Sequence, residues 1–105
     1  NLARMSSTST LVQDRLNELL AAREYPKTCC PSEVPRSFSR QELQQLGATG
    51  WRDLMPAVRE IAFEMRDRGE VEIMQRGEAL DPGVGLEQVQ GPIRVRKVQD
   101  ANILA

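Results

Sequence analysis

The chain of 105 residues contains no histidine. Acid–base catalysis by an imidazole and metal sites with histidine ligands are therefore excluded. Aromatic residues make up only 4% of the chain, which leaves little for stacking against nucleic-acid bases. No apolar run approaches the roughly 20 residues that a membrane-spanning helix needs. The composition argues against a histidine-dependent enzyme and against a membrane-spanning protein.

The two cysteines, Cys29 and Cys30, are adjacent. A disulfide between neighbouring residues closes a small, strained ring, so we expect both thiols to be free. Free thiols favour a reducing compartment. The first residues, Asn1–Met5, also lack the apolar stretch of a secretory signal. We therefore expect a cytoplasmic protein.

The length fits a single domain. Residues 1–9 are small and polar, and we expect them to form a loose leader. The folded core is expected over residues 10–98, and a frayed tail over residues 99–105. Thr10 and Gln13 match a capping box at the start of the first helix, which is predicted from about Leu11 to Arg23.

Prolines divide the region after the first helix. Pro31 is predicted to open a short helix, and Pro35 should shorten it because proline cannot donate a backbone hydrogen bond. Ser39 and Glu42 form another capping box, and Gly47 is placed to end the turn that follows. The sequence leaves open whether this region holds one short helix or two.

Apolar residues at steps of three and four mark a third helix. Its buried stripe consists of Trp51, Leu54, Val58, Ile61, Ala62 and Met65. Pro56 either kinks a helix that begins near Trp51 or lies in the first turn of one that begins at Asp53. We favour the kinked helix, because Trp51 continues the stripe. Gly69 is predicted to end it.

After Gly69 the apolar period changes to two, which indicates strands. Val71 and Ile73 predict the first strand, and Ile93 and Val95 predict the second. Predicted turns lie at Arg76–Glu78, Asp81–Gly85 and Gly91–Pro92. Three main helices followed by a β-hairpin wing is the element order of a winged helix. We therefore predict an α+β, winged-helix-like domain.

Five segments follow one another in a distinctive order. They are Cys30–Val34, Trp51–Arg59, Gln75–Gly77, Asp81–Pro82 and Gly91–Arg96. Together they resemble a bacterial family of small domains of unknown function, over a region from about Thr28 to Lys97. The resemblance implies a winged-helix-like fold and implies no activity, ligand or catalytic residue.

The charges of the third helix bear on DNA binding. Arg52, Arg59 and Arg66 fall on one line of the helix, and Asp53, Glu60, Glu64 and Asp67 fall on another, opposite the apolar stripe. A recognition helix presses the side opposite its core into the major groove. Four carboxylates on that side would repel phosphates. We therefore interpret it as a solvated charged face and expect no groove reading by it.

Basic side chains collect instead in the predicted wing, in a stretch without acids. The candidate nucleic-acid-binding residues are Arg76, Arg94, Arg96 and Lys97 in the wing, with Arg52 and Arg59 on the third helix. They would position a phosphate backbone and would not read bases. The alternative is ordinary strand-surface charge, with Glu72 and Glu78 neutralising the arginines through cross-strand pairs.

Cys30 directly precedes the helix that Pro31 is predicted to open, a position that can activate a thiol. It is either reactive or a small residue that packs against the start of the helix. The lack of a histidine base favours the packing interpretation. Two cysteines alone do not complete a four-ligand zinc site. We expect no metal, no cofactor and no small-molecule ligand.

The sequence thus favours a non-enzymatic binding module with double-stranded DNA as its leading partner. The alternative is a protein-interaction or homodimerisation module that uses the charged face of the third helix. A third hypothesis is a thiol redox sensor built on Cys30. No membrane partner is expected.

Overall fold

A computed structural model describes the backbone of residues 2–99 and the side chains of residues 8–99. In this part of the chain, four α-helices precede three strands. They are α1 (Leu2–Ala21), α2 (Glu33–Arg36), α3 (Arg40–Gln45), α4 (Met55–Asp67), β1 (Val71–Gln75), β2 (Glu78–Ala79) and β3 (Arg94–Lys97). The predicted α+β class is confirmed, and the arrangement is compatible with a winged helix. Of the predicted tail, residues 100–105 lie outside the described residues.

The first helix is longer than predicted. It begins at Leu2 and ends at Ala21, so the prediction of a loose leader is wrong for residues 2–9. Thr10 does not open the helix, and Gln13 Nε2 donates to Ser9 Oγ at 2.7 Å, a contact within the helix between residues one turn apart. Because extending an existing helix costs far less than nucleating one, a segment of modest helix propensity can join it.

The proline-rich region holds two short helices. Pro31 lies in the turn before α2, so its prediction as the first residue of the helix is wrong. The Ser39–Glu42 capping box is confirmed: the Glu42 N–H donates to Ser39 Oγ at 3.1 Å, and the Ser39 N–H donates to Glu42 Oε1 at 2.8 Å. Gly47 follows α3 with a φ of 76°, a conformation that glycine adopts without steric cost.

The start of the third main helix combines features of both interpretations. A 3₁₀ turn spans Trp51–Leu54, and the α-helix begins at Met55 with Pro56 in its first turn. The missing N–H of Pro56 costs little there, because first-turn donors lack partners within the helix. Gly69 follows the helix with a φ of 80°, as predicted for its end.

The three strands form an antiparallel sheet in the order β2-β1-β3. Ile73 faces Val95 in the register of β1 and β3, and both side chains are buried. On the other edge of β3, the Cys29 N–H donates to the Val95 carbonyl at 2.7 Å, and the Val95 N–H donates to the Cys29 carbonyl at 2.8 Å. This bridge ties the segment between α1 and α2 to the sheet.

The core lies between α1, α4 and the inner face of the sheet. Val12, Val58, Met65 and Val95 are fully buried, each contributing about 1.5–3 kcal/mol of transfer free energy. A further 3₁₀ turn at Leu86–Gln88, between β2 and β3, packs against α4. Among the described helices, none has the length and apolar content required to span a bilayer.

Candidate nucleic-acid interface

A tight turn presents Arg76 at the tip of the β1–β2 hairpin. Gln75 and Glu78 face each other across the two-residue loop. Arg76 and Gly77 both have positive φ, at 55° and 83°, the geometry of the hairpin turn that matches strand twist. Glycine and asparagine are the residues that adopt this conformation readily. The exposed arginine therefore occupies a position where it is sterically unfavourable.

Arg76 and Arg94 line one groove of about 520 Å³ at this end of the sheet. Its other wall is the loop of residues 90–92. Gln75 Nε2 fastens that loop to β1 by donating to the Gln90 carbonyl at 2.8 Å and to the Pro92 carbonyl at 3.3 Å. The sheet and its loop therefore hold two arginines at one concave surface, which we call the wing groove.

Neither arginine of the wing groove is neutralised. Arg94 Nε donates to Thr28 Oγ1 at 2.5 Å, and its Nη2 lies 3.3 Å from the Thr28 carbonyl oxygen. Both acceptors are uncharged, so they orient the guanidinium without cancelling its charge. Arg76 forms no ion pair with any residue that the structure describes. The wing groove therefore carries two free positive charges.

The other two basic residues predicted for the wing, Arg96 and Lys97, do not line the wing groove. Arg96 faces Glu72 across the strands, and its Nε donates to Glu72 Oε1 at 2.7 Å. Its guanidinium also lies 4.8 Å from the centre of the Tyr25 ring. Lys97 is one residue further along β3, so its side chain leaves the sheet on the opposite face. The predicted neutralisation by Glu72 is confirmed, whereas Glu78 forms no ion pair among the described residues.

The outward side of α4 is acidic, as predicted. Asp53, in the 3₁₀ turn that leads into α4, and three acids on α4 itself, Glu60, Glu64 and Asp67, are all exposed. Asp67 pairs with Arg66 at 2.8 Å, but Glu60 and Glu64 form no ion pair with another described residue. The two free carboxylates lie on the side that a groove-reading helix would present to DNA, where they would repel phosphates.

Asp53 instead caps the start of the 3₁₀ turn. Its Oδ2 accepts hydrogen bonds from Thr49 Oγ1 at 2.7 Å and from the Thr49 N–H at 2.9 Å. These bonds, together with one from the Gly50 N–H, lower the pKa of the Asp53 carboxyl. The acidic line is therefore partly structural, because Asp53 fixes the backbone that connects α3 to the 3₁₀ turn.

The predicted row of arginines begins in the 3₁₀ turn, with Arg52, and continues on α4, and its members differ in their contacts. The side chain of Arg66 is only 10% exposed: it donates to the Val84 carbonyl at 2.6 Å and lies over Phe63. Arg52 and Arg59 form no ion pair among the described residues. Of the predicted row, Arg66 is thus committed to holding the connection between β2 and β3, while the other two retain free charge.

Trp51 does not belong to the core, contrary to the sequence prediction. It is half-buried at the start of the stripe, with the Arg52 guanidinium 4.5 Å and the Arg36 guanidinium 5.7 Å from its ring centre. Sequence reasoning missed Arg36, because its contact with Trp51 depends on how α2 packs against the 3₁₀ turn. No local pattern in the sequence reports that packing.

The cysteines are free thiols with different surroundings. Cys29 is 0% exposed, and burial followed by the nearby charge of Glu33 raises its pKa to about 11. Cys30 is half-buried, with its Sγ 3.2 Å from Ser32 Oγ. The residue that fills the core is therefore Cys29. Cys30 contacts Ser32 at the start of α2, as the packing interpretation predicts, but it is only half-buried and does not belong to the core.

Glu33 is held between α1 and the start of α2. It accepts from Arg23 Nη2 at 2.5 Å and from the Cys30 N–H at 2.9 Å. Burial disfavours its ionisation, but these hydrogen bonds outweigh that effect and lower the pKa of Glu33. Over the described residues, no group of three or more Cys, Asp or Glu side chains converges in a way suited to a metal ion.

A second groove, of about 350 Å³, lies beside the acidic side of α4. Its apolar lining comes from Leu46, Leu54, Ala57 and Ile61, and its acidic lining from Glu60 and Glu64. We call it the acidic groove. Its charge is opposite to that of the wing groove, so the described part of the molecule has two grooves of opposite charge.

Comparison with known proteins identifies a family, but the description of that family names no activity. A comparison with curated proteins finds no match. The model of the family described as "Protein of unknown function (DUF3253)" matches residues 9–98. This region includes α2, α3, α4, the sheet and the wing groove. The chain therefore belongs to this family of domains of unknown function, as the resemblance in its sequence predicted.

Proposed function

We propose that the protein is a non-enzymatic binding module that contacts the phosphates of double-stranded DNA through the wing groove. The observation that carries this proposal is the pair of uncompensated arginines, Arg76 and Arg94, at one groove. Guanidinium groups bind phosphate oxygens through paired N–H donors and keep their charge at any physiological pH. Two such groups at a concave surface suit a phosphate backbone.

The backbone of the hairpin turn supports a role for the Arg76 side chain. A left-handed conformation disfavours most side chains by roughly 1–2 kcal/mol. Gly77 adopts the positive φ of the turn without steric cost. Arg76 adopts it too, with a φ of 55°, but its side chain makes that conformation unfavourable. Residues in unfavourable conformations cluster at functional sites. An exposed arginine at this position is explained if its charge is used.

The expected contact is with the backbone and not with base edges. Free carboxylates on α4 oppose entry of that helix into the major groove, and only 4% of the residues are aromatic. Binding without base readout is typically weak, with dissociation constants of roughly 10⁻⁴–10⁻⁶ M at physiological salt. We therefore expect low sequence preference and a strong dependence on ionic strength.

Fluorescence anisotropy with a labelled duplex tests this proposal. The wild-type protein should bind at low salt and lose affinity as salt rises. Replacing both Arg76→Gln and Arg94→Gln should weaken binding and reduce the salt slope by about 2, since each phosphate contact contributes about 0.9. The control is Arg40→Gln with Arg68→Gln, which removes equal charge from residues that do not line the wing groove. Because Arg68 pairs with Glu70, the single variant Arg40→Gln is measured beside it.

Two results would overturn the proposal. One is the absence of duplex binding by the wild-type protein at low salt. The other is a wing-groove double variant that binds as tightly as the control double variant. Unchanged circular dichroism of both variants ensures that the comparison reports binding and not folding.

The acidic groove favours a second candidate function, a protein-interaction or homodimerisation module. Its apolar lining beside Glu60 and Glu64 suits a partner with basic and apolar side chains. Under this alternative, the wild-type protein self-associates in sedimentation experiments or captures a partner, and Glu60→Lys with Glu64→Lys abolishes the association. Under the DNA proposal, the same reversal leaves the protein monomeric and strengthens duplex binding.

A cytoplasmic location is part of the proposal. We infer it from the two free thiols, since a reducing compartment keeps cysteines unbridged. Cysteine trapping of freshly lysed cells with a maleimide reagent would report whether both thiols are reduced in the cell. Oxidised thiols in cells that are otherwise reducing would contradict this assignment.

A further inference from the structure

The corner formed by Arg36, Trp51 and Arg52 has the features of a second anion site. We propose that this Trp51 corner binds a phosphate of duplex DNA, as a second contact in addition to the one proposed for the wing groove. The inference rests on the proposed function and deepens it. It adds Arg36 and Trp51, which sequence reasoning did not select.

The geometry of the Trp51 corner brings two like charges together. The guanidinium groups of Arg52 and Arg36 lie 4.5 and 5.7 Å from the same ring centre. The indole attracts both through cation–π contacts, but it carries no net charge to offset their mutual repulsion. A bound anion would offset it, so the arrangement favours a phosphate at this corner.

No carboxylate of the described residues neutralises the corner. Neither Arg36 nor Arg52 forms an ion pair there. The neighbouring acid, Asp53, directs its Oδ2 to Thr49 and the Gly50 N–H. Both arginines are exposed, so a ligand reaches their N–H groups without disturbing the core.

The chemistry of the corner fits a phosphate better than a base. A guanidinium that stacks on an aromatic ring keeps its N–H groups in the plane of the fork, available for bidentate bonds to phosphate oxygens. Two guanidinium groups already lie over the Trp51 ring, where they compete with a base for stacking. The corner therefore supplies charge and donors for an oxyanion.

Arg59 continues the positive surface along α4. One 3₁₀ turn and one α-helical turn separate it from Arg52, a distance of roughly 12 Å along the axis. This exceeds the 3.4 Å rise per nucleotide of one DNA strand, so the two arginines would meet different phosphates. An extended polyanion can bind to both, whereas a single small anion cannot.

Trp51 makes the test site-specific, because it is the only tryptophan in the chain. We expect duplex DNA at low salt to change its fluorescence emission, and added salt to reverse the change. Arg36→Gln with Arg52→Gln should weaken duplex binding and lower the salt slope by about 2. The wing-groove variant, Arg76→Gln with Arg94→Gln, should retain the emission change at higher DNA concentration.

The control for the corner variant is again Arg40→Gln with Arg68→Gln, which leaves Trp51 and its two arginines intact. Equal duplex affinity of the corner and control variants, with no change in wild-type Trp51 emission, would overturn the proposed phosphate site at the Trp51 corner. The wing-groove proposal would be unaffected by that result. Absence of any duplex binding by anisotropy would overturn the proposed function itself.

A separate titration with inorganic pyrophosphate alone distinguishes a small-anion site from a backbone site. The inference expects Trp51 emission to respond to duplex DNA at much lower phosphate concentrations than to pyrophosphate. An equal response to both at equal phosphate concentration would overturn the assignment to a DNA backbone.

Discussion

At the scale of single residues, arginines divide by whether a carboxylate neutralises them. Among the side chains that the structure describes, those paired with acids are Arg15, Arg23, Arg66, Arg68 and Arg96. The proposed DNA contacts come from the unpaired group: Arg76 and Arg94 in the wing groove, and Arg36 and Arg52 at the Trp51 corner. A count of charges from the sequence does not reveal this division, because it depends on which side chains the fold brings together.

The two cysteines give a prediction about reactivity. In the folded protein we expect Cys30 to react with iodoacetamide near neutral pH much faster than Cys29, because Cys29 is fully buried and has a pKa raised to about 11. Reactivity follows the thiolate fraction and access. Mass spectrometry of Cys29→Ala and Cys30→Ala variants measures each remaining thiol separately. Equal rates in the folded state would contradict the described burial of Cys29.

Asp53 gives a prediction about pH. Its pKa is lowered by hydrogen bonds from Thr49 and Gly50, so its ionised form stabilises the folded state. A lowered folded pKa means that the contribution is present above the unfolded value, about 3.9, and is lost as pH falls through the folded value. We expect Asp53→Ala to lower the melting temperature at neutral pH and to have a smaller effect near pH 2. A difference that persists undiminished in acid would contradict this role.

At the scale of elements, the segments with periodically spaced apolar residues were predicted better than the segments without them. The spacing of Val58, Ile61 and Met65 predicted α4, and the alternation of Val71 and Ile73 predicted β1, because periodic burial leaves a periodic sequence. The extension of α1 to Leu2 was not predictable, since its small polar residues carry no stripe. The 3₁₀ start at Trp51 was also hidden, because it depends on the cap made by Asp53.

The candidate site was predictable only in part, for the same physical reason. A stretch without acids identified Arg94, and turn residues identified Arg76. The sequence did not show that these two arginines are unpaired whereas Arg96 is paired, because the register of β1 and β3 places Glu72 opposite Arg96. It also did not show that Trp51 would meet Arg36, since that contact joins α2 to a turn distant in the chain.

The β1–β2 hairpin gives a prediction in which stability and binding change in opposite directions. Asparagine tolerates positive φ, so Arg76→Asn should raise the free energy of unfolding by up to about 1 kcal/mol. The same change removes one free charge from the wing groove and should weaken duplex binding. Urea denaturation and anisotropy measure the two effects. A variant that is stabilised but binds DNA as tightly as wild type would show that Arg76 does not contact phosphate.

At the scale of the whole molecule, charge is segregated although its sum is only −1. Free carboxylates occupy the outward side of α4 beside the acidic groove, while free arginines occupy the wing groove and the Trp51 corner. We therefore expect an approaching polyanion to be repelled from the first surface and attracted to the other two. The net charge alone would have suggested no affinity for nucleic acid, but the distribution permits it.

This segregation is also the reason that we expect no base reading from this domain, although its fold is compatible with a winged helix. The helix that would enter the major groove presents Glu60 and Glu64, so we propose the wing groove and the Trp51 corner as the phosphate contacts. The expected complex is shallow, dependent on salt and weakly selective.

The most direct test of the central claim is an amide chemical-shift titration of the ¹⁵N-labelled protein with duplex DNA at low salt. We predict the largest shifts in the wing groove, at Arg76, Gly77, Gly91 and Arg94, with smaller ones around Trp51. The amides of Glu60 and Glu64 should be nearly unaffected. Largest shifts at Glu60 and Glu64, with an unperturbed wing groove, would contradict the account.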